Sequence, residues 1–82
     1  MYFTYILYSQ TLGKYYTGQT QDLERRLEEH NRGKTKFLDL GKPWVIVYCR
    51  GFADRSGAVA LEKQVKKRGA KRFLLDNPSK VG

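Results

Sequence analysis

The residues from Thr20 to Gly33, TQDLERRLEEHNRG, constrain this chain most, because they describe a helix whose single buried stripe is not wholly apolar. Thr20 suits an N-cap, Asp22 and Glu24 complement the dipole of a first turn, and Gly33 is a natural stop. Leu23 and Leu27 are the only aliphatics in between, an i, i+4 pair that marks the inner face. At about 100° per residue, Arg26 and His30 fall on that face too. Such a helix either satisfies its arginine and histidine against buried partners or aims them into a cleft.

The chain around this helix is short. Its 82 residues contain no Pro/Gly/Ser-rich linker and no internal repeat, so a single small domain over 1–82 is expected, with its core at about 3–75 and a frayed tail from about Pro78. No apolar run approaches a membrane span of roughly 18 residues, and Tyr2 to Tyr8 lacks the basic start of a secretory signal. A cytoplasmic location with no membrane association is the corresponding expectation. Cys49 and His30 are the only residues of their kinds, so neither a disulfide framework nor a Cys/His zinc site can form within one chain. A bound metal would have to be held by oxygen, which points to a hard cation such as Mg²⁺ or Mn²⁺.

Sixteen Lys and Arg against eight Asp and Glu leave a formal charge of +8. The excess gathers late: from Arg55 to Lys80, eight basic residues stand against Glu62 and Asp76. Basic charge interleaved with tyrosines draws polyanions, with nucleic acid the leading partner. The candidate contacts are Lys34, Lys36, Lys63, Lys66, Lys67 and Arg68. The alternative is a merely solubilising surface.

Taken in order, Phe3 to Tyr8 (FTYILY) reads as a strand, Ser9 to Gly13 as a turn and Lys14 to Gln19 as a second strand. Gly18 would lie at the strand-to-helix junction, where a missing Cβ permits a sharp turn or close approach of a ligand. Lys34 to Lys42 has no clean period and is expected to be a loop. Trp44 to Arg50 (WVIVYCR) is nearly continuous in apolar residues and is expected in the middle of a sheet, with Trp44 as a core anchor. Gly57 to Arg68 is helical by propensity, capped by Asp54 or Ser56. Ala58, Leu61, Val65 and Gly69 share its inner stripe, and Glu62 falls at the stripe's edge while the lysines face out. A carboxylate there needs a cation partner, either a basic side chain such as Arg26 or a metal. Lys71 to Asn77 adds a short last helix docked by Phe73 and Leu74. The fold class is therefore α/β (α+β), a small three-stranded antiparallel sheet flanked by helices in the order β-β-α-β-α(-α).

Tyr5, Tyr16, Arg26, His30 and Glu62 form an ordered set, and in that order and spacing the chain resembles a GIY-YIG nuclease domain. Among those it is most similar to the small stand-alone members related to the N-terminal endonuclease domain of UvrC. Phe3-Thr4-Tyr5 matches the first family motif in its tyrosine, and Tyr16-Thr17-Gly18 matches the second in tyrosine and glycine. Arg26 stands where the family has an arginine, and His30 where part of the family has a histidine. The family's metal-binding glutamate falls on Glu62, within DRSGAVALEKQVKK. There are departures: Phe3 replaces a glycine, Gln19 replaces a lysine of UvrC-like domains, and Asn77 is the nearest counterpart to a later asparagine, at a longer spacing.

The resemblance implies a metal-dependent endonuclease, nonspecific or structure-dependent, in DNA repair or recombination, with Mg²⁺ or Mn²⁺ on Glu62. Chemistry agrees with it. Phosphodiester hydrolysis needs an activated water, a cation on the nonbridging oxygens and help for the leaving 3′ oxygen. Arg26 suits the phosphate because it is always charged and binds two oxygens at once. Tyr16, Tyr5 and His30 are alternative bases for the water. No base-reading element is visible, so nonspecific or structure-dependent cutting is expected over site-specific cutting, and a protein partner is a candidate source of specificity. The competing readings are a non-catalytic nucleic-acid-binding module on the same fold and a plain basic domain in which Arg26 and Glu62 form a buried ion pair.

Overall fold

The computed structural model describes residues 1–78. Beyond Pro78, the tail expected from the sequence lies outside the described residues. Seven elements follow in order: β1 (Tyr2–Ser9), β2 (Lys14–Thr20), α1 (Leu23–Arg32), α2 (Lys36–Leu40), β3 (Trp44–Phe52), α3 (Arg55–Arg68) and α4 (Ala70–Asp76). The three strands form one antiparallel sheet in the order β2-β1-β3.

Strand alternation divides β1 between two cores. Ile6 points to one face, where it packs with Leu61, Val65 and Phe73 from α3 and α4. Tyr5 and Leu7 point to the other, where they pack with Trp44, and Leu23 and Leu27 of α1 join them. Thr4 lies on the α3 side and is reconciled with burial by donating its hydroxyl to the Ala58 carbonyl at 2.7 Å. With helices on both faces, β1 is covered all round.

Three local expectations change. The apolar run of β3 lies at an edge of the sheet, and β1 takes the centre. β3 is apolar because each of its faces meets a core, Val47 and Tyr48 on one side and Ile46 and Cys49 on the other. Second, β2 continues through Thr20, so the cap of α1 falls two residues later: Asp22 accepts from the Arg25 N–H at 3.1 Å. Thr20 instead accepts from the Asp22 N–H. Third, the stretch expected as a loop contains α2, whose cap Thr35 accepts from the Leu38 N–H.

α2 carries Phe37 onto Trp44, with ring centroids 5.6 Å apart, and so adds a second aromatic ring beside the core anchor. α3 and α4 meet at Gly69, whose φ of 92° is a conformation that side chains with a Cβ rarely adopt. That elbow swings the basic start of α4 back beside the sheet.

Candidate functional site

Gly18 lies within β2, directly opposite Tyr5 in the antiparallel register. It makes no sharp turn there. A Cβ at this position would lie 2.6 Å from Tyr5 Oη and 2.9 Å from Cζ, so the phenol end of Tyr5 rests on the bare glycine backbone. The gap expected to admit a ligand is filled by the protein's own tyrosine. Gly18→Ala is therefore expected to displace the Tyr5 ring and to destabilise the fold by about 1–3 kcal/mol, as overpacking does. Urea denaturation checks the stability, and an unchanged midpoint would show that the ring is not held there.

Tyr5 is buried, and burial together with the charges of Glu62 and Glu29 pushes its hydroxyl far above the usual phenol range. Arg26 acts in the opposite direction, and Tyr16 adds to the rise. Tyr5 thus stays protonated at every physiological pH.

His30 is 2% exposed. Its Nδ1 lies 2.9 Å from the Arg26 carbonyl, an acceptor, so Nδ1 carries the proton and donates it there. Nε2 is then left with its lone pair, buried and without a hydrogen-bond partner. The ring meets Tyr16 edge-to-face at 4.4 Å between centroids. Burial, the largest influence, lowers the imidazole from its ordinary 6.5. A depressed histidine contributes stability that is fully present above pH 6.5 and lost as pH falls through its folded value. The melting temperature of the parent is expected to fall between pH 7.5 and about 5, and His30→Gln to flatten that part of the profile. Parallel profiles for the two proteins would mean that His30 is not the titrating group.

Arg26 and Glu62 do not pair with each other. The Arg26 Nε is 3.7 Å from Glu29 Oε1, and this buried nitrogen makes no hydrogen bond. Glu29 also receives Arg25 and, at 3.3 Å, Lys34, whose hydrogen bond lowers its carboxyl most. Glu62 is 20% exposed at its side chain and binds Lys66 Nζ at 2.8 Å, one turn along α3. The cation needed by the carboxylate is thus supplied locally, and the reading of Arg26 and Glu62 as a buried ion pair is overturned.

Two members of the set line two different concavities, and Tyr5, His30 and Glu62 line neither. Arg26 lines a cleft of about 380 Å³ with Arg25, Arg55, Gln19 and Glu29. Tyr16 and Lys66 line a larger groove of about 700 Å³, with Tyr5 buried close to Tyr16, 6.4 Å away between ring centroids. Among the expected nucleic-acid contacts, Lys36, Lys63 and Lys67 are exposed, whereas Lys34 is tied to Glu29 and Arg68 to Asp76. Asn77 caps α4 by donating to the Phe73 carbonyl.

A family model described as the GIY-YIG catalytic domain matches residues 1–74. The chain belongs to the GIY-YIG family. Curated proteins named UPF0213 are similar to it. One from Streptococcus pneumoniae is 38% identical over 79% of this chain and 70% of its own length. One from Pectobacterium carotovorum is 39% identical over 94% and 81%. A third, from Orgyia pseudotsugata multicapsid polyhedrosis virus, is 40% identical over 77% and 62%. No solved structure matches the chain at a significant level. GIY-YIG is a nuclease family whose members generally use divalent metal ions. Among the described residues, no helix is long and apolar enough to cross a membrane.

Within this GIY-YIG domain, sequence reading missed Glu29, Arg25 and Arg55. Glu29 was legible in principle, three residues from Arg26 and four from Arg25, at helical pairing distances. Arg55 was not, since only the packing of α3 brings it to the cleft that holds Gln19.

Proposed function

We propose that this GIY-YIG domain is an endonuclease that hydrolyses DNA phosphodiester bonds with the aid of Mg²⁺ or Mn²⁺. One observation carries the reading: Tyr5 and Tyr16 lie 6.4 Å apart between ring centroids, and His30, one turn after Arg26 on α1, meets Tyr16 edge-to-face at 4.4 Å. Arg26 binds the nonbridging oxygens of the phosphate through the accessible part of its guanidinium, its side chain being 42% exposed at the cleft. Glu29, 3.7 Å from the Nε, steadies the guanidinium. Tyr5, fixed as a neutral phenol, serves as a hydroxyl donor that orients the water or the phosphate. The water's proton passes to the lone pair of His30 Nε2, directly or through the Tyr16 hydroxyl, which gives its own proton to Nε2 as it accepts the water's.

The donor set fits a hard cation held through one protein ligand. Glu62 offers carboxylate oxygens, its Lys66 partner is mostly exposed and free to swing away, and substrate phosphate and water complete the shell. When bound, the ion supplies positive charge for the leaving 3′ oxygen. No group of three or more His, Cys, Asp or Glu among the described residues can hold an ion, so tight metal binding awaits the substrate.

The test is nicking of supercoiled plasmid and of flap or branched DNA by purified protein, with each cation and with chelator. Metal-dependent nicking that Arg26→Ala lowers by about a hundredfold or more is the expected result. The second reading, a binding module without turnover, draws on Gln19 in place of a family lysine and on Lys66 seated at Glu62. It predicts salt-dependent binding with no cleavage by the parent.

A further inference from the structure

The larger groove crosses the outer edge of β2, because it is lined from both faces of the sheet: Tyr15 on the side of α3 and α4, Phe37 of α2 on the other. Lys66, Arg68, Lys71 and Arg72 also line it, and no carboxylate does. Two of these cations are already matched, Lys66 by Glu62 and Arg68 by Asp76. Lys71 and Arg72 are exposed and have no carboxylate partner among the described residues. The groove therefore holds unspent positive charge on one wall and aromatic rings on the others. Phe37 is 43% exposed, and its buried neighbour Trp44 packs behind it with ring centroids 5.6 Å apart. At about 700 Å³ the space is of the size that takes a nucleotide-sized group.

From this combination we infer that the groove binds an unpaired stretch of nucleic acid, with a base stacked on Phe37 and flanking phosphates on Lys71 and Arg72. Exposed ring faces distinguish this occupant from a duplex, whose base faces are covered by their own neighbours, while basic residues alone would serve either. An acidic peptide matches the charge but leaves the rings without a role. Tyr16 of the candidate catalytic set lines the groove, as does Lys66, the ion-pair partner of Glu62, so a strand bound here passes beside that set. This deepens the nuclease reading and rests on it for the choice of polymer: the substrate is DNA with a single-stranded segment beside the scissile bond.

The binding experiment uses the full chain with chelator present, so that no cleavage intervenes. The probes are a short oligothymidylate carrying one 2-aminopurine, a blunt duplex of the same length and poly-glutamate. Expected is quenching of the 2-aminopurine by stacking, with the single strand bound at least about tenfold more tightly than the duplex. Phe37→Leu keeps an apolar side chain on Trp44 and is expected to remove the quenching and weaken single-strand binding by about tenfold. K71Q/R72Q, at exposed positions, should make the slope of log affinity against log salt shallower by about 1.4. Duplex bound as tightly as single strand, poly-glutamate bound in preference, or variants indistinguishable from the parent would each overturn the inference. The two readings fail separately. Single-strand binding as described without metal-dependent nicking removes the nuclease and leaves the groove; nicking without strand preference does the reverse.

Discussion

Glu62→Gln is expected to lower metal-dependent cleavage by about a thousandfold, equivalent to about 4 kcal/mol of transition-state stabilisation, while leaving the fold intact. The substitution keeps size and shape and removes only the charge that a hard cation requires. Its structural consequence is small because the partner, Lys66, is a mostly exposed residue one turn along the same helix, and such i, i+4 pairs contribute about 0.3–0.5 kcal/mol. Cleavage kinetics and thermal melts on the same preparations check both halves. Cleavage at the parental rate would remove Glu62 from the mechanism. Collapse of stability by several kcal/mol would mean that its role is structural.

Trp44→Ala should have the largest effect on stability, about 3–5 kcal/mol. Trp44 is 1% exposed and packs with Tyr5 and Leu7. Its indole N–H donates to the Leu38 carbonyl at 2.9 Å, holding α2, and its backbone N–H donates to Asn31 Oδ1 at 2.7 Å, tying α1 to β3. For a domain of this size the loss corresponds to a fall in melting temperature of roughly 12–40 °C. Trp44→Phe retains most of the apolar volume but leaves the Leu38 carbonyl without its donor, and is expected to cost about 1–3 kcal/mol. Because Trp44 also backs Phe37 and lies 6.0 Å from His30 between ring centroids, the alanine variant should loosen both the groove and the site. A melting temperature within a few degrees of the parent would show that α2 and β3 are held by other contacts.

Much of the site was readable because its parts are local. Arg26 and His30 share a helix face with Leu23 and Leu27, and helical spacing alone predicts that. Glu62 stands at the edge of a stripe of Ala58, Leu61 and Val65, all three of which are buried. Its partner was readable too, four residues on, yet the competing pairing with Arg26 could be discarded only in three dimensions. Gly18 shows the converse. Its need for a missing side chain was evident, but the group that fills the space, Tyr5, is set by strand register.

The order of elements, the two apolar faces of β1 and the residues able to do phosphate chemistry were determined by the sequence itself, because periodicity and residue chemistry act over a few neighbours. Tertiary structure decided that β1 and not β3 is central, that the stretch from Lys34 to Lys42 contains α2, and that Phe37, Lys71 and Arg72 line one groove at the edge of β2. Those outcomes depend on which strand edge pairs with which and on how an elbow at Gly69 directs α4. Contacts between residues far apart in the chain make those choices, and no local pattern encodes them.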